Sequence, residues 1–137
     1  IDNYYDGIAR FHFNELCSVN IGAEDYIAIA NNSKFIVIDE LPIFNDDNAD
    51  KQSRFITLID ILYEKQIPLM VSSNFNLDNF ESSKKLDSVF KRTVSRLFEL
   101  TSPKFSINWI YTRYSCYIHL ITIFSSVWVV ETRIKYS

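Results

Sequence analysis

Two apolar runs with a helical pattern between them dominate the first hundred residues. Residues 35–38 read FIVI and residues 67–73 read IPLMVSS, and such continuous runs are typical of strands buried on both faces of a sheet. From about residue 50 to residue 65 the apolar residues recur with the spacing of a helix. A strand, a helix and a second strand in this order predict a βαβ unit with parallel strands. The apolar positions of the predicted helix are Phe55, Leu58, Ile59 and Leu62.

Three further elements flank this unit. Residues 8–17 alternate and then turn apolar, which predicts a short strand that enters a helix or a turn. Residues 22–31 carry apolar residues at helical spacing. Residues 87–101 predict a C-terminal helix that Asp87 or Ser88 would cap. Together these elements predict an α/β fold with one βαβ unit and a helix after it.

The charge balance changes at Pro103. The chain carries 14 basic and 17 acidic residues, a formal charge of −3, and this balance gives no signal for nucleic-acid binding, which needs clustered Lys and Arg. Before Pro103 there are 10 basic and 16 acidic residues, a net of −6, and from Pro103 onward there are 4 and 1, a net of +3. We therefore divide the chain into residues 1–102, the α/β portion, and residues 103–137, a divergent apolar and aromatic tail.

The tail is open to three interpretations. Residues 116–130 carry no formal charge, but they are fewer than the roughly 20 residues that span a bilayer as a helix. A pair of strands is the first alternative, and a segment that contacts a membrane surface is the second. The third is a stretch that is not native to the protein, such as a truncated gene read on in another frame.

Cysteine, histidine and glycine usage restricts the chemistry of the chain. Cys17 and Cys116 lack the spacing of a metal site, so we interpret them as buried or free thiols of a reducing compartment. His12 lies in an alternating run and is interpreted as an outward-facing strand residue. Gly7 and Gly22 are the only glycines, whereas a phosphate-cradling loop of the GxxxxGKS or GxxxxGKT type needs several backbone N–H groups at such positions. We therefore expect no metal, ATP or Mg²⁺ to be bound by this chain alone.

An acid pair ends the first apolar strand. Four apolar residues followed by Asp39 and Glu40 resemble a Walker B strand, in which the aspartate holds Mg²⁺ and a glutamate orients the attacking water. Asn74, at the tip of the next strand, would suit a sensor of the γ-phosphate. Without a phosphate loop these residues have no nucleotide to act on. We interpret Asp39 and Glu40 as a Walker B lookalike with a structural or loop-capping role.

Three arginines on predicted helices are the candidate nucleotide contacts. Arg54 opens the long helix, and Arg92 and Arg96 lie at i and i+4 on the C-terminal helix. Arginines projecting from helices bind phosphate in a bidentate manner, within one chain or across a subunit boundary. The alternative interpretation is a solvated helix face on which the arginines pair with Asp87 or Glu99.

Four segments, found in a fixed order, carry a resemblance to a known family. They read FNELCSVNIGAEDYIAIA (13–30), FIVIDELPIF (35–44), RFITLIDILYEKQIPLMVSS (54–73) and FKRTVSRLFELTS (90–102). This set resembles the signature of ZapE-type AAA+ ATPases, the bacterial cell-division ATPases and their mitochondrial lactation-elevated relatives. Arg54, Arg92 and Arg96 match motif arginines of that family. Ser53 stands where its RRFI motif begins with arginine, and Leu100 stands where its SRL-x-EM motif has methionine.

The resemblance implies a function for a full-length protein. Members of the family hydrolyse ATP with Mg²⁺ on a P-loop AAA+ fold and assemble in rings, and their Walker A loop, Walker B acids and sensor asparagine lie upstream of the motifs matched here. The chain therefore resembles the C-terminal part of such an ATPase, a partial P-loop NTPase-like domain without catalytic residues of its own. In this light the acid pair Asp39 and Glu40 is a decoy.

The resemblance also implies partners and a location. The partners would be further copies of the chain in a ring, and an FtsZ-type division protein or a membrane-protein client, with no nucleic acid. The location would be the cytoplasm, including its periphery at the inner membrane or the division septum. Residues 103–137 would be the membrane-contacting candidate.

A stand-alone protein-interaction module without catalytic activity is the alternative. It would use the acidic loop of Asp46, Asp47 and Asp50, or the apolar tail, to hold a protein partner or a membrane surface. An upstream reading frame that codes a phosphate loop would favour the ATPase interpretation. A start codon near Ile1 would favour the module.

Overall fold

A four-stranded sheet with helices between its strands organises the part of the chain that the structure describes. The structure is a computed structural model, and it describes residues 4–18, 20–76 and 79–102. The strands are β1 (Tyr4–Tyr5), β2 (Ile8–His12), β3 (Phe35–Leu41) and β4 (Leu69–Ser73). The helices are α1 (Phe13–Leu16), α2 (Ala23–Asn32), α3 (Ala49–Glu64) and α4 (Asp87–Leu100), and short 3₁₀ turns cover Asp46–Asn48 and Lys84–Leu86.

The sheet confirms the predicted parallel unit. Its strand order is β1-β2-β3-β4, in which β1 is antiparallel to β2 and the other three strands are parallel to one another. Ile36 of β3 lies beside Ala9 of β2 on one side and Leu69 of β4 on the other. Because α3 connects the parallel strands β3 and β4, it runs back from the carboxyl edge of the sheet to its amino edge. The structure thus shows a mixed α/β fold with three parallel strands.

The core lies between one face of the sheet and the helices. The predicted apolar positions of α3 are fully buried, and they join a single cluster with alternate residues of the three parallel strands. Burying each such side chain contributes about 1.5–3 kcal/mol. The strand residues of this cluster are Ala9, Phe11, Ile36, Ile38, Leu41, Leu69 and Val71.

Strand β3 is buried on both of its faces, as its continuous apolar run predicts. Phe35 and Val37, which point away from the core cluster, are only 8% and 7% exposed, and Ile36 and Ile38 are fully buried. Strand β2 alternates instead, with Arg10 exposed between two buried neighbours. A central strand with partners on both sides is shielded more fully than one beside a two-residue edge strand.

The strand at residues 8–12 enters a helix as predicted, whereas the start of α4 differs from its prediction. His12 is the last residue of β2, but it is also the N-cap of α1: its Nδ1 accepts a hydrogen bond from the Asn14 N–H at 3.1 Å, and Glu15 accepts one from the His12 N–H. The prediction that Asp87 or Ser88 caps α4 is wrong. Leu86 occupies the N-cap position without a side-chain cap, because the preceding 3₁₀ turn runs directly into the helix.

Cys17 is a buried free thiol, as predicted, and the reducing compartment stays a prediction. It packs beneath α2, beside Tyr26, whose hydroxyl donates a hydrogen bond to the Leu16 carbonyl at 2.8 Å. Burial raises the pKa of the Cys17 thiol to about 12. A protonated, buried thiol is a poor nucleophile and a poor metal ligand, so Cys17 acts as an apolar core residue. Cys116 lies outside the described residues.

The predictions for the tail also lie outside the described residues, because the structure describes nothing beyond Ser102. The division of the chain at this point therefore stays a prediction. Within the described ranges, no helix is both long enough and apolar enough to cross a membrane.

Candidate functional site

The carboxyl ends of the parallel strands bring together five polar side chains, which we call the carboxyl-edge network. Arg10 Nε donates to Asp39 Oδ2 at 2.6 Å, and Ser72 Oγ donates to Asp39 Oδ1 at 3.3 Å. His12 Nε2 lies 2.6 Å from Glu40 Oε2. The acid pair is therefore at the strand end where the sequence predicts it, and each carboxylate is already engaged by a neighbouring strand.

Glu40 adopts a backbone conformation that is unusual for a residue with a side chain. Its φ is +59°, in the left-handed region, where a non-glycine residue costs on the order of 1–3 kcal/mol. The regular pairing of β3 with β4 breaks between Ile38 and Leu41. The Glu40 N–H is satisfied at this irregularity by Ser72 Oγ at 2.9 Å. Side chains from both neighbouring strands thus hold the strained exit of β3 in place.

The hydrogen bonds of His12 fix its tautomer. Because Nδ1 accepts the Asn14 N–H, the ring proton is on Nε2 and is donated to Glu40. Arg10, His12 and Ser72 are the residues of this network that the sequence analysis did not identify as functional. The signal that could have identified Arg10 and His12 is the parallel register of β2 and β3, which places His12 opposite Asp39.

Metal chemistry is not favoured at this edge. Across the described ranges, no group of three or more His, Cys, Asp or Glu side chains is arranged to hold a metal ion. Asn74 follows β4 directly and is exposed. The geometry supports the structural interpretation of Asp39 and Glu40, in which they cap and brace the end of β3.

Two of the three candidate arginines converge on one carboxylate between α3 and α4. Arg96 Nη1 lies 2.5 Å from Asp60 Oδ1, and Arg92 Nη2 lies 3.4 Å from Asp60 Oδ2. The predicted pairing of these arginines with Asp87 or Glu99 is wrong, because the packing of α4 against α3 brings Asp60 closer. Asp87 instead pairs with Lys91 at i+4.

Tyr63 holds Arg96 from a second direction. The guanidinium carbon of Arg96 lies 4.8 Å from the centre of the Tyr63 ring, a cation–π distance. The nearby carboxylate of Glu99 raises the pKa of the Tyr63 hydroxyl. We call Asp60, Tyr63, Arg92, Arg96 and Glu99 the arginine cluster.

Arg54 does not join this cluster. It lies near the start of α3, half-buried, and its positive charge acts on Cys17 and Tyr26, where it lowers both pKa values against the larger effect of burial. Asp60 lies on another side of α3, facing α4. The three arginines therefore do not form one site within the chain.

The arginine cluster and the acid pair are also separated from each other. Helix α3 starts at Ala49, near the carboxyl edge, and Asp60 follows 11 residues later, which corresponds to a rise of about 16 Å along the axis. Because α3 runs toward the amino edge of the sheet, the arginines of α4 do not act on a ligand held at Asp39 in the same copy.

The acidic loop of the alternative interpretation is partly engaged. Asp46 Oδ1 accepts a hydrogen bond from the Lys84 N–H at 3.0 Å, and the Asn45 side chain accepts from Asp47 N–H and Asn48 N–H. Asp47 and Asp50 are exposed. The loop is therefore an ordered turn that contacts the 3₁₀ turn before α4 through Asp46. The carboxylates of Asp47 and Asp50 face solvent.

Comparison with known proteins identifies the family. A family model described as AFG1-like ATPase matches residues 1–107. The cell division protein ZapE of Escherichia coli K12 is 29% identical over 93 residues, which cover 68% of this chain and 25% of ZapE. Lactation elevated protein 1 homolog B of Danio rerio is 27% identical in an alignment 133 positions long, and the match covers 74% of this chain and 26% of that protein.

The matches cover only part of the relatives and include no solved structure. The chain spans about a quarter of the length of these curated relatives. No solved structure gives a significant match. With the family model covering most of the sequence, and with the predicted strand–helix–strand unit present in the fold, the chain belongs to the AFG1-like ATPase family.

Proposed function

We propose that this chain is the C-terminal portion of an AFG1-like ATPase with a P-loop AAA+ fold. It supplies part of the α/β sheet, a surface for contact with further copies in a ring, and arginines for the Mg²⁺-dependent hydrolysis of ATP. The family match over residues 1–107 is the observation that carries this proposal. The phosphates and Mg²⁺ are held by another part of the protein, since the sequence has no glycine-rich phosphate loop.

The local geometry supports this division of roles. Asp39 and Glu40 are tied to Arg10 and His12, so the acid pair braces the sheet and does not serve as Walker B. Arg92 is 57% exposed on α4, so its guanidinium is accessible to a nucleotide presented by a neighbouring segment or subunit. Arginines that neutralise phosphate charge in this way accelerate phosphoryl transfer about 10³–10⁵-fold in other NTPases.

The cellular role is proposed from the named relatives. ZapE is described as a cell division protein, and we propose that this chain acts in the cytoplasm in cell division or in membrane-associated protein quality control. An FtsZ-type division protein or a membrane-protein client would be its partner. This part of the proposal rests on resemblance, and pull-down of tagged chain with purified FtsZ is its direct test.

Reconstitution tests the catalytic part. The chain is mixed with a separately expressed N-terminal portion of Escherichia coli ZapE, and ATP turnover is measured for each part and for the mixture. We expect no turnover above background for the chain alone and a clear increase for the mixture. Turnover by the chain alone would overturn the proposal. So would a mixture that associates on a sizing column and yet stays inactive.

A stand-alone interaction module is the second candidate, favoured by the exposed carboxylates Asp47 and Asp50 on a well-braced loop. In that case the chain would neither associate with the ZapE portion nor restore hydrolysis. A partner bound through this loop would be lost on the double change Asp47→Asn and Asp50→Asn. The change Asp6→Asn, which removes a carboxylate far along the sequence, would leave that binding intact.

A further inference from the structure

One carboxylate serves two guanidinium groups in the arginine cluster. Each oxygen of Asp60 accepts from a different arginine, Arg96 at 2.5 Å and Arg92 at 3.4 Å. Arg92 and Arg96 are also one helical turn apart, a spacing at which like charges repel. Asp60 therefore lies where two oxygens of a phosphate group would bind if the arginines acted together.

The two arginines are held unequally. Arg96 is 28% exposed, and it has both a short ion pair and the Tyr63 ring. Arg92 is 57% exposed and makes one long contact through a single Nη. A guanidinium has five N–H donors, and within the described ranges the only partner shown for Arg92 is Asp60. Arg92 is therefore the arginine that exchanges partners at low cost.

The other charged groups nearby are occupied. Glu99 acts on the Tyr63 hydroxyl, whose pKa it raises, and Asp87 pairs with Lys91. Asp60 is thus the carboxylate that competes with an incoming anion for Arg92. An anion with several charged oxygens outcompetes a single carboxylate at 3.4 Å, because it adds charge-assisted hydrogen bonds that the long contact lacks.

We propose that Arg92, Arg96 and Asp60 form a masked binding site for a polyphosphate group. In this site Asp60 holds Arg92 in reserve, Arg96 stays fixed on Asp60 and Tyr63, and Arg92 moves to the phosphate oxygens when a nucleoside triphosphate is presented. The inference deepens the proposed function and rests on it for the identity of the ligand. Asp60 is a positioning residue here, and it competes with the ligand without contacting it.

Binding of inorganic tripolyphosphate to the whole 137-residue chain tests this site directly. Titration calorimetry at 0.15 M salt gives the affinity, and the side-chain Nε–Hε signals of arginine in ¹⁵N spectra give the location. We expect the Arg92 signal to shift far more than the Arg96 signal. Arg92→Ala should weaken binding about tenfold, the loss of one charge-assisted pair. Asp60→Asn should tighten it about fivefold, because the competing charge is removed.

Matched variants separate the site from general electrostatics. Lys91→Ala removes one cation from the adjacent position of α4, and Asp87→Asn removes the carboxylate paired with that lysine. Both residues are well exposed and pair with each other, and exposed pairs of this kind contribute little in water, so each change should alter the affinity less than about twofold. Arg92→Lys keeps the charge and the fold but loses the planar fork, so it should weaken binding about threefold to fivefold. It also serves as the second variant if Arg92→Ala folds poorly.

Three results would overturn the inference. They are wild-type chain that does not bind tripolyphosphate, Arg92→Ala that behaves like Lys91→Ala, and Asp60→Asn that binds equally or more weakly. If Asp60 had only a structural role, Asp60→Asn would bind tripolyphosphate equally or more weakly, because its loss would only disorder the arginines. Failure of the tripolyphosphate test would not affect the proposed function, because ATP turnover by the reconstituted mixture is measured separately. Success here with an inactive reconstitution would leave a polyphosphate site without the proposed enzyme.

Discussion

Carboxylates meet basic side chains in two regions of this molecule, and the regions differ in how many basic partners each carboxylate has. In the carboxyl-edge network Asp39 has Arg10 and Glu40 has His12, one basic side chain for each carboxylate. In the arginine cluster the single carboxylate of Asp60 is shared by two arginines. The first arrangement is closed, while the second keeps one guanidinium available. The carboxyl-edge network is the region that resembles a Walker B strand. The guanidinium that can still bind a ligand, that of Arg92, lies instead on helix α4.

The two regions are also built by different parts of the chain. Strand register and the left-handed backbone at Glu40 fix the carboxyl-edge network, so its side chains have little freedom to rearrange. The arginine cluster depends on long side chains that reach between two packed helices. A site that must release one contact to bind a ligand is more easily built from such side chains than from a braced strand end.

The largest expected effect separates the two arginines by stability. Arg96→Ala removes the short ion pair and the contact with Tyr63, and it should lower the free energy of unfolding by about 1–2 kcal/mol. Arg92→Ala should lower it by less than about 0.5 kcal/mol. Urea unfolding followed by circular dichroism measures both. Equal losses would show that the arginines are held alike and would contradict the asymmetry.

Ser72→Ala tests whether the Ser72 side chain stabilises the end of β3 at Asp39 and Glu40. The change leaves the Glu40 N–H without its acceptor and removes one donor to Asp39, so the free energy of unfolding should fall by about 1 kcal/mol. Ser95→Ala on the exposed face of α4 is the control, and it should stay within about 0.5 kcal/mol of the wild type. If both variants unfold at the same urea concentration, Ser72 does not brace the exit.

Two replacements of Glu40 distinguish the cost of its left-handed backbone from the contribution of its contact with His12. Glu40→Ala loses the contact with His12 and keeps the left-handed backbone, whereas Glu40→Gly loses the same contact and relieves the backbone strain. The glycine variant should therefore be about 1 kcal/mol more stable than the alanine variant. An alanine variant as stable as the glycine variant would mean that the backbone at this position is not strained.

The smallest expected effect completes the comparison. Asp39→Asn removes a carboxylate from the closed network, which is far from the arginine cluster along α3, so tripolyphosphate affinity should change less than about twofold. Asp60→Asn is the matched change in the other region, where affinity should rise. Calorimetry on the two variants under the same salt conditions is the measurement. An equal response would remove the distinction between the two regions.

Element positions were well predicted because they depend on local patterns. The apolar stripe of Phe55, Leu58, Ile59 and Leu62 predicts α3, and all four side chains are buried. The continuous run from Phe35 to Ile38 predicts a strand covered on both faces, which the structure confirms. Parallel pairing of β3 and β4 follows from their connection through α3, so this unit was predictable, whereas the antiparallel edge strand β1 was not predicted.

Side-chain partners were not predictable in the same way. Asp60 and Arg96 are 36 residues apart, and His12 and Glu40 are 28 apart. Local reasoning favoured Asp87 and Glu99 as the partners of the arginines, because these residues share a helix with them. Packing between helices brought a different carboxylate closer.

The sequence by itself determined the order of strands and helices and the family to which they belong, since both are recorded in residue types at short, regular spacing. It also determined that no phosphate loop is present in these 137 residues. Only the tertiary structure decided which charges meet. It joined Asp39 to Arg10, placed Asp60 between two arginines, and left Arg92 exposed. The physical reason is that ion pairs form across elements, through strand register and helix packing, and neither is encoded at any single position.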